Sequence, residues 1–237
     1  MKLSIIIPCY NEIYSIKKII KKIENLKINS EIIIIDDGSN DGTNNVIRKL
    51  KSPIIKKKIF HKKNYGKGMA IISAVKYIKG DIVVIQDADL EYNPKDLEIM
   101  AIYLHQNKLP AVYGSRFLNK NNKKLNKIFL NKVRIYGNIF LTKISNIINK
   151  QKLTDAHTCY KMIDAKIFKK LNLKEKGFAF CAEVNTKLSN LKIPILELPI
   201  YYKGRGIKQG KKIKFSDFFF AIKAIIYYKL KKFVLQN

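Results

Sequence analysis

The sequence has no tryptophan, only three cysteines, and no run of 18 or more uncharged apolar residues anywhere in its 237 positions. Cys9, Cys159 and Cys181 are far apart and odd in number, and no zinc-type pair spacing occurs. That excludes a disulfide framework and a closed cysteine zinc site, and it fits a reducing compartment. Without a long apolar run no membrane-spanning helix is expected. The opening MKLSIIIPCYNE turns polar too soon for a signal peptide, so the expected location is cytoplasmic. Acids are also scarce, with 18 Asp and Glu against 47 Lys and Arg, a formal net charge of +29. Such a balance suits nucleic-acid or anionic-membrane partners. The lysines are scattered and no nucleic-acid motif accompanies them, so a specific nucleic-acid partner is not expected. Much of the excess also reads as solvated surface lysine of an AT-rich genome. At 47% hydrophobic and 27% charged the chain is globular in composition. No repeat and no linker composition divides it.

What is present is an alternation of apolar runs with helix-period segments. LSIIIP (3–8), EIIIID (31–36), PIIKKKIF (53–60), DIVVIQ (81–86) and LPAVYGSRF (109–117) read as strands. Between them the pattern predicts helices from Glu12, over 42–51, over 66–79, and from Pro94 at a first helical turn. This alternation predicts an α/β fold, with a mostly parallel sheet covered by helices on both faces. The second half is less regular. A basic, Asn-rich stretch (119–127) precedes a helix over 128–148, then come LTDAHTCYKMID (153–164), a short helix and GFAFCAEVNTKL (177–188). IPILELPIYYKGR (193–205) reads as a strand with a proline break, and 215–233 as an aromatic-rich helix. One domain over 1–237 is expected, with a ligand-binding half (1–118), an opposing half (119–214) and a C-terminal amphipathic helix (215–237).

In open α/β sheets ligands sit beyond the carboxyl ends of the strands. There the sequence places Tyr10-Asn11-Glu12, Asp36-Asp37-Gly38-Ser39, Asp87-Ala88-Asp89 and Gly114-Ser115-Arg116. Residues two apart on an extended segment point the same way, so Asp87 and Asp89 aim into one crevice. Uncompensated, the two carboxylates repel each other. An oxygen-seeking Mg²⁺ or Mn²⁺ would remove that penalty and bring substrate phosphates with it. The competing reading is an acidic turn that caps the next helix. Asp36-Asp37-Gly38-Ser39 reads either as a tight turn or as a contact for a base or ribose. Asn64-Tyr65-Gly66-Lys67-Gly68 puts two glycines at a helix start, which suits close backbone approach to an anion.

PCYNE (8–12), DDGSNDGT (36–43), NYGKGMA (64–70), QDADLEYNP (86–94) and GSRF (114–117) resemble the family 2 glycosyltransferases of GT-A (Rossmann-like) fold. More narrowly, with GFAFCAEV, ELPIYYKGR and QGKKIKFSD, they resemble the dolichyl-phosphate mannosyl- and glucosyltransferase branch. The resemblance implies inverting transfer of a sugar from a GDP- or UDP-linked donor, with Mg²⁺ or Mn²⁺ as cofactor. The acceptor it implies is polyprenyl phosphate at the inner face of a membrane. Pro8, Tyr10 and Glu12 would line the nucleotide pocket with Lys67, and Asp37 would contact the base. Asp87 and Asp89 would hold the metal. Arg116, Arg134, Arg205 and Lys211 would grip phosphates. Asp155 or Glu183 would be the general base if the acceptor is a hydroxyl; a phosphate acceptor needs none. Where relatives often carry a Gly-Phe-Arg-like sequence this chain has Thr158-Cys159-Tyr160-Lys161. Alternatives are a soluble or glycan acceptor, a catalytically degenerate scaffold, or a basic nucleic-acid binder. The C-terminal helix either packs on the domain or lies on an anionic membrane.

Overall fold

The structure is a computed structural model that describes residues 1–120, 129–204 and 216–234. Its centre is a seven-stranded sheet of order β3-β2-β1-β4-β6-β5-β7. The strands are β1 (Leu3–Cys9), β2 (Ser30–Asp36), β3 (Ile55–Phe60), β4 (Ile82–Ile85), β5 (Ala111–Ser115), β6 (Lys161–Asp164) and β7 (Leu196–Pro199). Among the described strands only β6 runs against its neighbours, antiparallel to both β4 and β5. All other pairings are parallel. The mostly parallel sheet is as expected. The antiparallel β6, inside the sheet, is an element the apolar pattern does not announce: two of its four residues, Lys161 and Asp164, are charged.

The isoleucine runs of β1 and β2 are buried on both faces, as central parallel strands must be. Edge strand β3 instead reads Ile-Lys-Lys-Lys-Ile-Phe and stays half-buried. Lysines on an edge discourage pairing with another chain. On one face lie α1 (Ile16–Glu24), α2 (Thr43–Lys49) and α4 (Lys95–Gln106), packed on Ile5, Ile7, Ile34, Val84 and Met162. Helix α1 buries Ile16, Ile19, Ile20 and Ile23, the helical spacing of its sequence. On the other face α3 (Lys67–Ala74), α6 (Ala165–Lys170) and α7 (Phe180–Asn190) cover Ile6, Ile33, Val83, Tyr113 and Ile163. Each fully buried isoleucine contributes about 1.5–3 kcal/mol, and truncating one such as Ile33 to alanine costs about 2–5 kcal/mol.

A third cluster joins α7 to α5 (Phe129–Asn149) and α8 (Ser216–Val234) through Leu141, Ala182, Ala221, Ala224, Ile225 and Tyr228. The C-terminal helix therefore packs on the domain with one of its faces. Among the described residues no helix is long and apolar enough to cross a membrane.

Candidate active site

The carboxyl ends of β1, β2, β4 and β5 form one rim, and loop-to-loop hydrogen bonds tie it together. Past β1, Asn11 sits at φ 53°, the left-handed region that asparagine tolerates. Its backbone N–H donates to Ser39 Oγ at 2.9 Å, and its side chain accepts from the Asn40 N–H at 3.0 Å. Glu12 is buried; its N–H donates to Thr43 Oγ1 at 2.8 Å and its carboxylate accepts from Ser15 Oγ at 2.6 Å. Pro8 and Tyr10, half-buried, flank this knot.

Asp37 starts helix α3. Its carboxylate accepts from the N–H groups of Tyr65 (3.0 Å) and Gly66 (2.8 Å) and lies 2.6 Å from His61 Nδ1. His61 Nε2 lies 2.9 Å from Ser73 Oγ, near the far end of α3. The anion at this helix start is the chain's own Asp37 carboxylate, and the glycines beside it face another stretch of backbone. A Cβ on Gly68 would stand 2.0 Å from Glu175 O, and one on Gly66, at φ +98°, 2.6 Å from Lys176 O. Their bareness serves chain–chain packing, sealed by the Met69 N–H donating to Lys176 O at 2.9 Å.

This places Lys67 over β4. Its ammonium donates to Asp87 Oδ1 and to Cys159 Sγ, the latter at 2.9 Å. Burial works against the charge on Lys67, but Asp87, then Cys159, hold its pKa well above the usual lysine value. Burial likewise opposes ionised Asp87, and Lys67 overturns it, keeping the carboxyl below its usual range. Burial, reinforced by Asp87, pushes the Cys159 thiol far up, so it is an inert neutral group here. The repulsion expected between Asp87 and Asp89 is thus relieved at Asp87 by a lysine of the same chain. Asp89 Oδ1 accepts from the Glu91 N–H at 3.0 Å, and Glu91 accepts from Tyr202 OH at 2.6 Å. Among the described residues no group of three or more His, Cys, Asp or Glu side chains could hold a metal ion. Two hard carboxylates, one already shared with an ammonium, fit Mg²⁺ or Mn²⁺, which complete their shells with phosphate oxygens and water. They do not fit a structural zinc cage.

Beyond β5, Arg116 and Asp155 form a two-pronged ion pair. Arg116 Nε and its backbone N–H donate to Asp155 Oδ2 at 2.7 and 3.0 Å, and a terminal guanidinium N–H donates to Oδ1 at 2.7 Å. Glu197 on β7 accepts from the backbone N–H groups of Thr154 (2.6 Å) and Asp155 (2.9 Å), fixing that loop. The guanidinium carbon lies 5.2 Å over the Tyr202 ring. Burial would raise the Asp155 pKa, but Arg116's charge and hydrogen bonds hold it below the usual carboxylate value. Tyr92 and Tyr160 complete an aromatic floor, with ring centroids 4.6 Å apart and Tyr160 OH donating to Gln86 Oε1 at 2.5 Å.

Residues 4–172 match the family model for glycosyl transferase family 2. The chain belongs to that family. A dolichol-phosphate mannosyltransferase of Pyrococcus furiosus is 28% identical over 219 residues, covering 90% of this chain and 61% of that protein. A UDP-N-acetylglucosamine–dolichyl-phosphate N-acetylglucosaminyltransferase of Methanococcus voltae is also 28% identical, with 83% of each chain covered. An undecaprenyl-phosphate 4-deoxy-4-formamido-L-arabinose transferase of Pseudomonas fluorescens is 33% identical over 40% of this chain and 30% of its own. This chain therefore spans less than two thirds of the Pyrococcus relative. In fold it is similar to glucosyl-3-phosphoglycerate synthase of Mycobacterium tuberculosis, solved with Mn²⁺ and UDP-glucose, at TM-score 0.69 and 16% identity, covering 98% and 78% of the two chains. The fold of this family 2 glycosyltransferase is GT-A.

Within the family 2 domain the expected site residues part company. Pro8, Tyr10, Glu12, Asp37, Lys67, Asp87, Asp89, Arg116 and Asp155 sit at or beyond the strand ends of the rim, or in a loop bonded to it. Glu183 has another task. Its oxygens accept from the N–H groups of Lys174 (2.8 and 3.0 Å) and Glu175 (2.8 Å) and from Lys187 Nζ at 2.5 Å. It clamps the backbone that presses on Gly66 and Gly68. His157 is a poor base: burial, then Lys161, push its pKa down to about 3. The side chains of Arg134, Arg205 and Lys211 lie outside the described residues. Sequence reasoning missed Tyr202, His61 and Cys159 as partners of site residues. The doubled tyrosine of ELPIYYKGR was the available signal for the first.

Proposed function

We propose that this chain is an inverting, divalent-metal-dependent glycosyltransferase that moves a sugar from a nucleotide-diphosphate sugar to polyprenyl phosphate. One observation carries the acceptor. Both carboxylates that the sequence offers as a general base, Asp155 and Glu183, are bound to cations and backbone donors. A hydroxyl acceptor needs a base to take its proton; a phosphate is already ionised at neutral pH. Relatives named for dolichyl- and undecaprenyl-phosphate transfer support the same reading.

In this reaction a phosphate oxygen of the acceptor attacks the anomeric carbon from the face opposite the departing diphosphate. The bond from that carbon to the diphosphate oxygen breaks, and its electron pair leaves with the nucleotide. Asp89, with Asp87, would hold the cation, whose chemistry is to neutralise charge growing on the diphosphate. Lys67 supplies a second positive charge beside it. Arg116, aimed by Asp155 and laid on Tyr202, brings a planar, permanently charged guanidinium to the rim, the group best suited to recognise a phosphate. Asp37 acts through α3, setting Lys67 in place.

The test offers UDP- and GDP-linked sugars with Mn²⁺ to polyprenyl phosphate, to polyprenol and to free sugars. Product on polyprenyl phosphate alone is expected. Efficient transfer to polyprenol or to a free sugar would overturn the acceptor assignment.

A further inference from the structure

Helix α8 is apolar on two opposite sides. Ala221, Ala224, Ile225 and Tyr228 face the domain and are buried. About half a helix turn away, Phe220, Ile226, Tyr227 and Leu230 face outward, Leu230 being 59% exposed. Helix α5, packed beside it, shows the same pattern. Tyr136 and Ile147 are 69% and 79% exposed, and with Phe140 they fall on one stripe at helical spacing. The stripes meet: Phe140 stacks on Phe218 at 5.9 Å between centroids, and Phe218 meets Phe219 edge-on at 5.7 Å. The result is a continuous outward ridge of aromatic and aliphatic groups, larger than the scattered apolar residues of an ordinary surface.

What covers this ridge is decided by charge. Lys143 lies on the α5 stripe, Lys223 and Lys231 on or beside the α8 stripe, and all three are exposed. The shallow hollow between Phe219, Ile226, Tyr227 and Leu230 has Lys223 in its wall. A second copy of this chain would bring the same lysines and a net charge of +29 against its own kind. An anionic bilayer brings the opposite sign. It also accepts apolar side chains at the acyl boundary while phenolic hydroxyls stay at the headgroups.

We propose that the joined outer faces of α5 and α8 dock this domain on an anionic lipid bilayer. The docking gives the lipid-linked acceptor proposed above its setting and rests on that reading for its purpose, while its own test needs no acceptor. The full chain is sedimented with vesicles of phosphatidylglycerol and phosphatidylcholine, and with pure phosphatidylcholine vesicles, at low and high salt. Binding is expected to the anionic vesicles and to weaken as salt rises. Ile226→Glu with Leu230→Glu should weaken binding by about tenfold or more, and Lys223→Glu with Lys231→Glu similarly. These positions are exposed, so melting temperature and the thermal shift given by UDP or GDP with Mn²⁺ should be unchanged. No binding to anionic vesicles at low salt, or binding unaffected by either pair of substitutions, overturns the proposal. So does a stable dimer that the same substitutions dissolve, which would assign the ridge to a second copy. Transfer to polyprenyl phosphate in detergent without vesicle binding would sink the docking alone. Vesicle binding without such transfer would sink the acceptor reading alone.

Discussion

Replacing Asp155 by asparagine separates two jobs that a buried acid near an acceptor could have. Asp155 is 0% exposed at its side chain and its partner Arg116 12%. Asparagine keeps the shape but removes the charge, taking from a mostly buried guanidinium its ion-pair carboxylate. Removing one partner of a buried ion pair costs about 3–5 kcal/mol. For a chain of this size each kcal/mol lowers the melting temperature by about 2–4 °C, so a fall of roughly 6–20 °C is expected. The pH dependence has a definite sign. The folded-state pKa of Asp155 is depressed, so its contribution is fully present above the unfolded carboxyl value of about 4. It disappears as pH falls through the lower folded value. Wild type and variant should differ equally from pH 8 to 5 and converge in stronger acid. In transfer assays Asp155→Asn and Arg116→Lys should each lose about tenfold or more, about 1.4 kcal/mol each. The double variant should lose little beyond either, because both disturb one fork. Calorimetric melting and steady-state kinetics across pH measure all of this. An Asp155→Asn protein that melts within about 2 °C of wild type, yet loses activity together with the acidic limb of its pH–rate profile, would make Asp155 the base and refute the positioning argument.

Three further outcomes are expected. Asp89→Asn should leave the fold intact and abolish the Mn²⁺-dependent thermal shift given by UDP or GDP; an undiminished shift would show that the cation is held elsewhere. Lys67→Met should slow transfer yet tighten Mn²⁺ binding by about tenfold, because the ammonium no longer competes for Asp87. Titration calorimetry reads this without turnover, and weaker or unchanged Mn²⁺ affinity would contradict it. Asp96 has its pKa raised by burial to about 6, against the Tyr201 N–H that donates to it at 2.8 Å. Its charge therefore destabilises the fold increasingly as pH rises from about 4 through 6. The group is partly open to water, so the penalty is screened to about 1 kcal/mol. Asp96→Asn should raise the melting temperature by about 2–4 °C at pH 8 and by nothing at pH 4, with equal effects at both pH values speaking against the burial account.

The rim was legible because its residues follow strands that advertise themselves. Apolar runs ending near Asp36, Asp87 or Ser115 give both the strand and the place where it stops. Helix α1 is equally plain from Ile16 to Ile23. What escaped the sequence was contact across distance. Lys67 reaches Asp87 and Cys159, neither of which is near it in the chain, and no spacing rule joins the three. Glu183 reads as a candidate base in GFAFCAEV, yet its backbone partners lie in the loop just before it, where sequence carries no mark of which N–H groups turn inward. The glycines of α3 look alike whether an anion or another stretch of backbone approaches them. Strand β6 was hidden because its buried Lys161 satisfies itself on Ala156 O and Thr158 O, at 2.9 and 2.5 Å, an arrangement that disguises a sheet residue as a surface one.

The place of β6 also governs how the molecule can be made. Strands β4 and β5 are not neighbours; each is joined to β6, which arrives only with Lys161–Asp164. During synthesis β3, β2, β1 and β4 can assemble early, whereas β5 emerges with its two partners, β6 and β7, still unmade. Until then the growing chain carries a bare edge on β4, the kind of surface that invites misassembly. Pairings so distant in sequence are slow to form. The division near residue 118, sensible as chemistry, is therefore no boundary of folding. A fragment ending there would hold most of the donor-side rim on an unfinished sheet, and sequence exchange between relatives at that point would trade one half of a single cooperative unit.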